Sequence, residues 1–285
     1  GAVMVQNFVD VPIVASILIV SVLTVVYTVT GGLKAVVVTE SIQTVLLLFG
    51  AVAVTIFALL ALGRNGVDSL AELRQAARPG QLSMIRTDGE FAWYYMLVGY
   101  PVLGIWYWCS DQTIVQRVLG ARSEQDAQTG PIFCGFIKVL PPLLMVLPGV
   151  LGYVLFRDRI AENPDSTLIV LIQELLPVGL QGLVIAGLLA ALMSTVAGAL
   201  NSTATLVSID IVKRSRPDTS EQALVRIGQV TAVIVMASAM LWSTQGERFG
   251  GIFKGINQMI SVLAPPISVV FIWGIFWRRA TAAAA

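Results

Sequence analysis

The sequence predicts an all-α membrane protein with about seven transmembrane helices. Hydrophobic residues make up 56% of its 285 residues and charged residues only 12%, about half the charged share of a typical soluble domain. The mean hydropathy is +0.82. The apolar residues stand in long continuous runs, whereas the strands of a membrane barrel would alternate apolar and polar residues. The bilayer is therefore the expected solvent and helices are the expected spans.

Seven apolar runs are long enough to cross a bilayer, which takes about 20 residues. They cover residues 11–30, 41–63, 91–110, 127–156, 175–209, 227–246 and 255–277. Gly31–Lys34 predicts a tight turn between the first two runs, and Lys213–Arg216 is a basic turn after the fifth. A small excess of basic residues on the side of these turns predicts that they face the cytoplasm. We expect a multi-pass protein of the cell membrane.

Composition also excludes several classes of function. The net charge is +1, so nothing indicates a nucleic-acid partner. The chain has no histidine, which removes the commonest general base and metal ligand. Cys109 and Cys134 both lie in or beside apolar runs and predict no disulfide framework. We expect no enzyme activity.

Lys138 is the clearest charge inside an apolar run, and Pro141 and Pro142 follow it closely. A charge within a membrane helix is costly, so each one suggests a functional site. The functional interpretation is an ammonium donor that faces a polar cavity. The alternative is a side chain that reaches the interface or pairs with a structural carboxylate.

The third run predicts a broken helix with aromatic residues beside the break. Gly99 and Pro101 lie in mid-run, and Trp106, Tyr107 and Trp108 follow. Broken helices build midplane binding sites in transporters, and aromatic faces stack on flat ligands such as sugar rings. The alternative is an interfacial aromatic belt.

The fifth run carries small and hydroxyl residues at helical spacing. Ala191, Ser194 and Thr195 fall at positions i, i+3 and i+4, on one face. Two hydroxyls and a carbonyl freed by a bend would make half of an alkali-cation site. Close helix packing through small residues is the alternative, and back-bonding of a hydroxyl to the i−4 carbonyl would disfavour the ion site.

Two further polar positions complete the candidate set. Asn257 stands near the start of the last run, and Pro265 and Pro266 predict a break in that helix. Amides near a break are good partners for solute hydroxyls. Glu40 stands at the start of the second run, where a carboxylate at a helix N-terminus is the alternative to a functional role.

These segments, in this order, resemble the solute:sodium symporter family, and its sodium/glucose cotransporter branch most of all. The resemblance covers nearly the whole chain and rests on five segments of the sequence. They are Tyr27–Ala35, Trp106–Arg117, Gly135–Pro141, Leu188–Ile211 and, in the last run, Ala264–Pro266 together with Phe276–Arg279.

The resemblance implies a LeuT-like fold of two inverted five-helix repeats. Residues 1–285 would form one truncated transmembrane domain that holds core helices four to ten, with 11–63 ending the first repeat and 91–279 forming the second. The first three core helices would be missing, and with them the first-helix carbonyls of the family's cation site. The isolated piece is therefore expected not to transport.

The resemblance also implies roles for single residues. Ala191, Ser194 and Thr195 match sodium ligands on the eighth helix, and Glu40 matches an acidic position, usually Asp, that is associated with a second sodium. Lys138 matches a lysine that hydrogen-bonds the sugar. Tyr107 matches the aromatic that stacks under the sugar ring as an inner gate, with Trp108 beside it. Asn257 stands where the family usually has Gln, which leaves the choice of hexose or polyol open.

The function expected from these features is sodium-coupled import of a sugar or similar polyol by alternating access. The co-transported sodium ion, a small-molecule solute and the lipid bilayer are the expected partners. Two alternatives stay open at this stage. One is a sodium symporter for a non-sugar solute such as an anion, amino acid or vitamin, and the other is a transporter-like sensor domain.

Overall fold

The computed structural model of this chain describes residues 5–6, 8, 11–83, 85–89, 92–161, 164–243, 252–279 and 281, without the side chains of residues 165 and 252–254. This part of the chain is helical and contains no strand. The prediction of an all-α protein is confirmed.

Eleven α-helices are described in chain order. They are α1 (Ile13–Arg64), α2 (Leu70–Ala76), α3 (Trp93–Ile105), α4 (Gln112–Leu119), α5 (Glu124–Ile137), α6 (Leu147–Leu155), α7 (Arg157–Ile160), α8 (Thr167–Leu175), α9 (Val178–Thr205), α10 (Glu221–Ser243) and α11 (Ile252–Phe276). Three π-helical segments also lie in the described ranges: π1 (Trp106–Ser110), π2 (Pro142–Val146) and π3 (Leu206–Lys213).

The chain forms two compact units. The first comprises Gly1–Leu82 and Ile132–Ser243, and the second comprises Ser83–Pro131 and Thr244–Ala285. In the first unit, α9 packs against both α1 and α10, and α6 packs against α1 and α8. In the second unit, α11 packs against α3 and π1, and the Ser268 hydroxyl donates a hydrogen bond to the Val102 carbonyl at 2.8 Å.

The 52-residue helix α1 folds back on itself at Gly32. Gly32 has φ 59° and ψ −168°, a conformation that only glycine adopts without strain. Tyr27 and Leu46 both contact α9, at Met193 and at Gly187. These contacts are about 28 Å apart along a straight α1 but only about 9 Å apart along α9, so the helix must reverse between them. The two arms are named α1a (13–31) and α1b (33–64), and the predicted turn is confirmed.

The seven predicted spans all correspond to helical segments of the structure. Five described segments are long and apolar enough to cross a membrane: Ile13–Arg64, Glu124–Leu155, Val178–Lys213, Glu221–Ser243 and Gly255–Phe276. The first of them supplies two spans because of the reversal at Gly32. The remaining span is α3 with π1, which the π turn divides into pieces shorter than a full crossing. Residues 244–246 of the sixth predicted run lie outside the described residues.

Helix breaks were predicted at the prolines of the third and seventh spans, and the structure has no break at these prolines. Helix α11 continues from Ile252 to Phe276 through Pro265 and Pro266, and α3 continues through Pro101. Transmembrane helices tolerate proline because neighbouring helices and local adjustments satisfy the freed carbonyls. The break in the third span comes later, where π1 gives way to Asp111 with extended backbone at φ −69° and ψ 115°.

A well-packed core of the first unit lies at the end of the helices next to the 65–82 loop. Val54, Ala58 and Leu62 of α1b meet Leu171 and Ile172 of α8 there. The loop covers this core, with Leu73 buried and the Arg78 guanidinium 4.2 Å from the ring centre of Tyr153. Elsewhere, large apolar side chains such as Val45 and Phe136 are exposed, as expected for a surface solvated by lipid.

Candidate functional site

Helix α9 places the three predicted ion-site residues in different surroundings. Ser194 is buried, with 6% of its surface exposed, whereas Thr195 is exposed and Ala191 is half-buried. The Thr195 hydroxyl donates to the Ala191 carbonyl at 3.0 Å. The predicted bend is absent, since α9 is helical without interruption from Val178 to Thr205. The expectation that a bend frees the Ala191 carbonyl is therefore wrong.

Ser194 differs from the other hydroxyl residues on this helix. Thr195, Ser202, Thr203 and Thr205 each donate to the carbonyl four residues earlier, at 2.8–3.0 Å. Among the described residues, the Ser194 hydroxyl makes no hydrogen bond. The Ser194 oxygen is not fully enclosed by protein atoms, so it is open to a ligand such as an ion or water. Ser194 is thus the hydroxyl best placed to bind a cation.

Helix α1b lies antiparallel to α9 on the face that carries Ser194. A Cβ added at Gly187 would lie 3.5 Å from the Leu46 Cβ, and one added at Gly50 would lie 3.2 Å from Val184. Glycine at these positions lets the two helices approach closely. Ser194 is two turns beyond Gly187, so it falls on the same face of α9. Counted along the pair from Leu46 and Gly187, Glu40 is level with Ser194 to within about 2 Å.

The position of Glu40 excludes the interpretation that this carboxylate stabilises a helix N-terminus. The sequence placed this residue at the start of a helix, but α1b begins directly after Gly32 and Glu40 lies two turns inside it. The helix dipole acts on charges within about the first turn only. Stabilisation of a helix N-terminus therefore does not explain this carboxylate. The Glu40 side chain is half-buried.

Tyr27 on α1a contacts the same part of α9 and was not a predicted site residue. Its hydroxyl donates to the Met193 carbonyl at 2.9 Å, one residue before Ser194. The signal available in the sequence was a lone tyrosine in an otherwise aliphatic and threonine-rich run, next to the Gly31–Gly32 turn. Tyrosine hydroxyls usually find a polar partner when the ring is buried.

Lys138 lies where its helix is interrupted. Helix α5 ends at Ile137, and residues 138–140 form a turn before Pro141 and π2. The Val139 and Leu140 amides donate to carbonyls three residues earlier, at 3.1 and 3.0 Å, which tightens the backbone there. The Lys138 side chain is exposed in the first unit. An ammonium at a helix break in mid-span is well placed to meet a polar solute.

The aromatic candidates belong to the second unit and lie in π1. Tyr107 and Trp108 are half-buried, and their rings meet edge to face with centroids 5.4 Å apart. π-helical turns inside α-helices are frequent at functional sites, because the extra residue redirects the side chains around it. Asp111 then caps α4 by accepting a hydrogen bond from the Thr113 amide at 2.7 Å.

Asn257 is half-buried near the start of α11, in the same unit as the aromatic pair. Helix α11 packs along π1, so the element that carries Asn257 adjoins the one that carries Tyr107. The predicted solute residues thus divide between the units, with Lys138 in the first and the other three in the second. Within the described residues, no cluster of histidine, cysteine and acidic side chains suits a transition metal.

Comparison with known proteins places these features in a family. The model of the Sodium:solute symporter family matches residues 1–285. A sodium/mannose cotransporter of Bos taurus is 36% identical over 291 residues, which is 90% of this chain and 48% of the relative. Sodium/glucose cotransporter 1 of Oryctolagus cuniculus is 32% identical, over 98% of this chain and 48% of the relative. The chain thus spans about half the length of the curated relatives it matches.

A solved structure shows the fold. This is a Na⁺-coupled sialic acid symporter in a substrate-bound, outward-open state. It matches 99% of this chain and 60% of its own length with a TM-score of 0.79, at 23% sequence identity. The chain therefore has the LeuT-like inverted-repeat fold, and the fold predicted from the sequence is confirmed.

Proposed function

This chain belongs to the sodium:solute symporter family, and from that membership we propose that its protein imports a sugar or similar polyol together with sodium. Curated relatives that match nearly the whole chain are named for mannose, glucose and myo-inositol. The sodium ion is cargo in this proposal, and no covalent step is required of any residue.

The observation that carries the proposal is Ser194, a buried residue whose hydroxyl makes no hydrogen bond within the described residues. Hydroxyl and carbonyl oxygens are the ligands that a small hard cation prefers. Thr195 and the Ala191 carbonyl stand one turn apart beside it. A hydroxyl that donates its proton to a carbonyl keeps its oxygen lone pairs, so the Thr195 oxygen still serves as a ligand. Ser194 is the principal ligand of this half-site, and Glu40, at about the same level on α1b, is the candidate for a second sodium.

The solute side of the proposal uses groups of a different kind. The Lys138 ammonium donates to hydroxyl oxygens of the solute, and the Tyr107 ring stacks against the apolar C–H face of a sugar with Trp108 beside it. The Asn257 amide both donates and accepts. Sugars need this combination because each ring presents apolar faces and a belt of hydroxyls.

Energy comes from the movement of sodium down its gradient. One charge that crosses a potential of 100 mV releases about 2.3 kcal/mol, and the concentration gradient adds to this. Sodium binding on α9 favours the outward-open state and forms the solute site. Sodium loss to the cytoplasm then lets the aromatic gate at Tyr107 release the solute. The ion acts by differential affinity for the two states, as any ligand-driven switch must.

The test is uptake by the full-length protein in proteoliposomes with an imposed sodium gradient. A panel of glucose, mannose, myo-inositol and sialic acid is offered with sodium or with choline outside. We expect sodium-dependent uptake of at least one neutral polyol. Lys138→Ala is expected to weaken solute affinity more than sodium affinity, and equal losses for both would mean that Lys138 is structural. Uptake that is indifferent to sodium would refute the proposal.

A second candidate solute is an organic anion, and the ammonium of Lys138 favours it. A lysine at a mid-span helix break neutralises a carboxylate as readily as it donates to a hydroxyl. The panel separates the two, because an anion-selective protein takes up sialic acid and leaves glucose and myo-inositol outside.

A further inference from the structure

Gln43 on α1b has an enclosed side-chain oxygen that lacks a partner. Its Oε1 atom is buried, and it is the one such side-chain atom in the described residues that has no hydrogen-bond partner. In a lipid-solvated helix pair, a carboxamide oxygen without a partner is costly because nothing replaces its lost hydrogen bond to water. Each such group in a native structure calls for a bound ion, a bound water or a strained role.

The register of the helix pair sets Gln43 opposite the ion half-site. Gln43 is three residues before Leu46, and Leu46 meets Gly187. The carboxamide therefore starts level with Ala190, about 6 Å along the axis from Ser194. Gln43 also lies on the face of α1b that carries Leu46 and Gly50, which is the face against α9.

The directions of the two side chains close this gap. Side chains on an α-helix lean toward the N-terminus of their own helix. Because α1b and α9 are antiparallel, Gln43 leans toward the level of Ser194 and Ser194 leans toward the level of Gln43. A glutamine side chain is long enough to span about one helical turn. The Gln43 carboxamide and the Ser194 hydroxyl therefore lie at overlapping levels along the helix pair.

We propose that the Gln43 carboxamide oxygen is a cation ligand that acts together with Ser194, so that α1b contributes directly to sodium affinity. This inference rests on the proposed ion site on α9 and adds a neutral ligand from a second helix to it. An amide carbonyl is a hard oxygen donor without charge, which suits a monovalent ion. The carboxylate of Glu40, one turn earlier and half-buried, adds negative potential at the same level.

The test measures sodium binding without any solute. The purified full-length protein is titrated with sodium chloride at constant ionic strength, choline replaces sodium in the blank, and the midpoint of thermal stabilisation is recorded. Gln43→Met keeps the length of the side chain and removes its oxygen, and it is expected to raise the sodium midpoint about fivefold to tenfold, the loss of roughly one polar contact. Gln43→Asn withdraws the amide by one methylene and is expected to raise the midpoint as well.

Gln229 supplies the matched control. It is also a half-buried amide at a helix contact of the first unit, where its Nε2 donates to the Val29 carbonyl at 3.2 Å. Gln229→Met is expected to leave the sodium midpoint unchanged. In the double variant with Ser194→Ala, the Gln43→Met effect is expected to shrink, because both residues act on one ion.

Two outcomes overturn the proposal in distinguishable ways. A normal sodium midpoint in Gln43→Met and Gln43→Asn, with a raised midpoint in Ser194→Ala, means that the amide holds only water. A normal midpoint in Ser194→Ala as well means that the α9 ion site itself is absent, and the proposed function loses its main support.

Discussion

Hydroxyl side chains in a membrane helix have two uses, and α9 shows both. A hydroxyl that donates to the carbonyl four residues earlier satisfies its own proton, as those of the exposed Thr195 and the half-buried Thr203 do. A hydroxyl that is buried without this bond keeps its oxygen and its proton available to a ligand. Ser194 is of the second kind. Ser194 and Thr195 are adjacent in the sequence, but their hydroxyls have different roles.

We therefore expect Ser194→Ala to raise the sodium requirement of transport more than Thr195→Ala does. Both changes remove a candidate ligand, but of the two only Ser194 is buried and has a hydroxyl that makes no hydrogen bond within the described residues. The measurement is the sodium concentration that gives half-maximal uptake. Thr203→Ala is the control, because this hydroxyl makes the same backbone bond two turns away. Equal effects at positions 194 and 195 would contradict the ranking.

Tyr27→Phe is expected to destabilise the protein by about 1 kcal/mol, the usual net value of one hydrogen bond. The change deletes only the hydroxyl that donates to the Met193 carbonyl and keeps the ring. Thermal unfolding in detergent measures the loss. Since Met193 precedes Ser194, the sodium midpoint is recorded in the same samples. An unchanged melting temperature would show that the bond contributes no net stability.

At the scale of the element, the reversal of α1 depends on one residue. Gly32 combines φ 59° with ψ −168°, a region that side chains with a Cβ avoid. The two arms of α1 meet α9 in opposite directions only because the chain turns there. Glu40, Gln43 and Tyr27 thereby reach the same helix from different arms.

Gly32→Ala is consequently expected to cost about 1–3 kcal/mol in stability. The strain is conformational, since a Cβ at Gly32 would find open space. Gly149→Ala is a matched control, because Gly149 lies in a regular helix with equally open space and alanine is the better helix former. Unfolding temperatures of the two variants test the difference. A Gly32→Ala protein as stable as the parent would exclude strain at this turn.

Helix α2 in the 65–82 loop is held by a capping box that responds to pH. The Ser69 side chain accepts from the Glu72 amide at 3.2 Å, and the Glu72 carboxylate accepts from the amides of Asp68 and Ser69 at 2.8 and 3.0 Å. The bond from the Asp68 amide is the main cause that lowers the pKa of Glu72, and the bonds from Ser69 add to it. The cap is intact above the ordinary glutamate pKa and is lost as pH falls through the lowered value.

We expect faster amide exchange at residues 70–76 in acid than at neutral pH, after correction for the intrinsic pH dependence of exchange. Glu72→Gln removes the titrating group and is expected to flatten this response. Because the carboxylate is fully exposed, solvent screening keeps the effect local and small. Exchange measured by mass spectrometry on the full-length protein reports it. A pH response that survives in Glu72→Gln would assign the effect to another group.

At the scale of the molecule, the amino-acid composition predicted a membrane environment, and the lengths of the apolar runs predicted the transmembrane helices. Both predictions succeed because the thickness of the bilayer sets the same minimum length for every spanning helix. The details of each break were not predictable in this way. Pro101, Pro265 and Pro266 lie inside intact helices, whereas the third span is interrupted beyond Pro101, at π1, which contains no proline. Gln43 was not among the predicted site residues, because the sequence alone does not distinguish a glutamine on the surface of a helix from one at a helix contact. The distinction requires the register of α1b against α9. Burial and register are tertiary properties, and the residues that depend on them require coordinates.

Orientation is the whole-molecule property that the charges predict, with the Lys213–Arg216 turn in the cytoplasm. In a full-length protein whose native cysteines, Cys109 and Cys134 among them, are replaced by serine, a single cysteine at the exposed position Ser215 is expected to react with a membrane-impermeant maleimide only in inside-out vesicles. A cysteine at Ser83, in the loop after α2, is expected to react only from the outside, because the spans between these two positions cross the bilayer an odd number of times.

The same loop covers the buried core of the first unit, so this orientation sets that core at the outer end of the helices. It also means that the inward path of sodium from Ser194 follows α9 toward π3 and the basic turn. Labelling of both cysteines from one side would reject the odd number of crossings, and reversed labelling would place that path toward the outside.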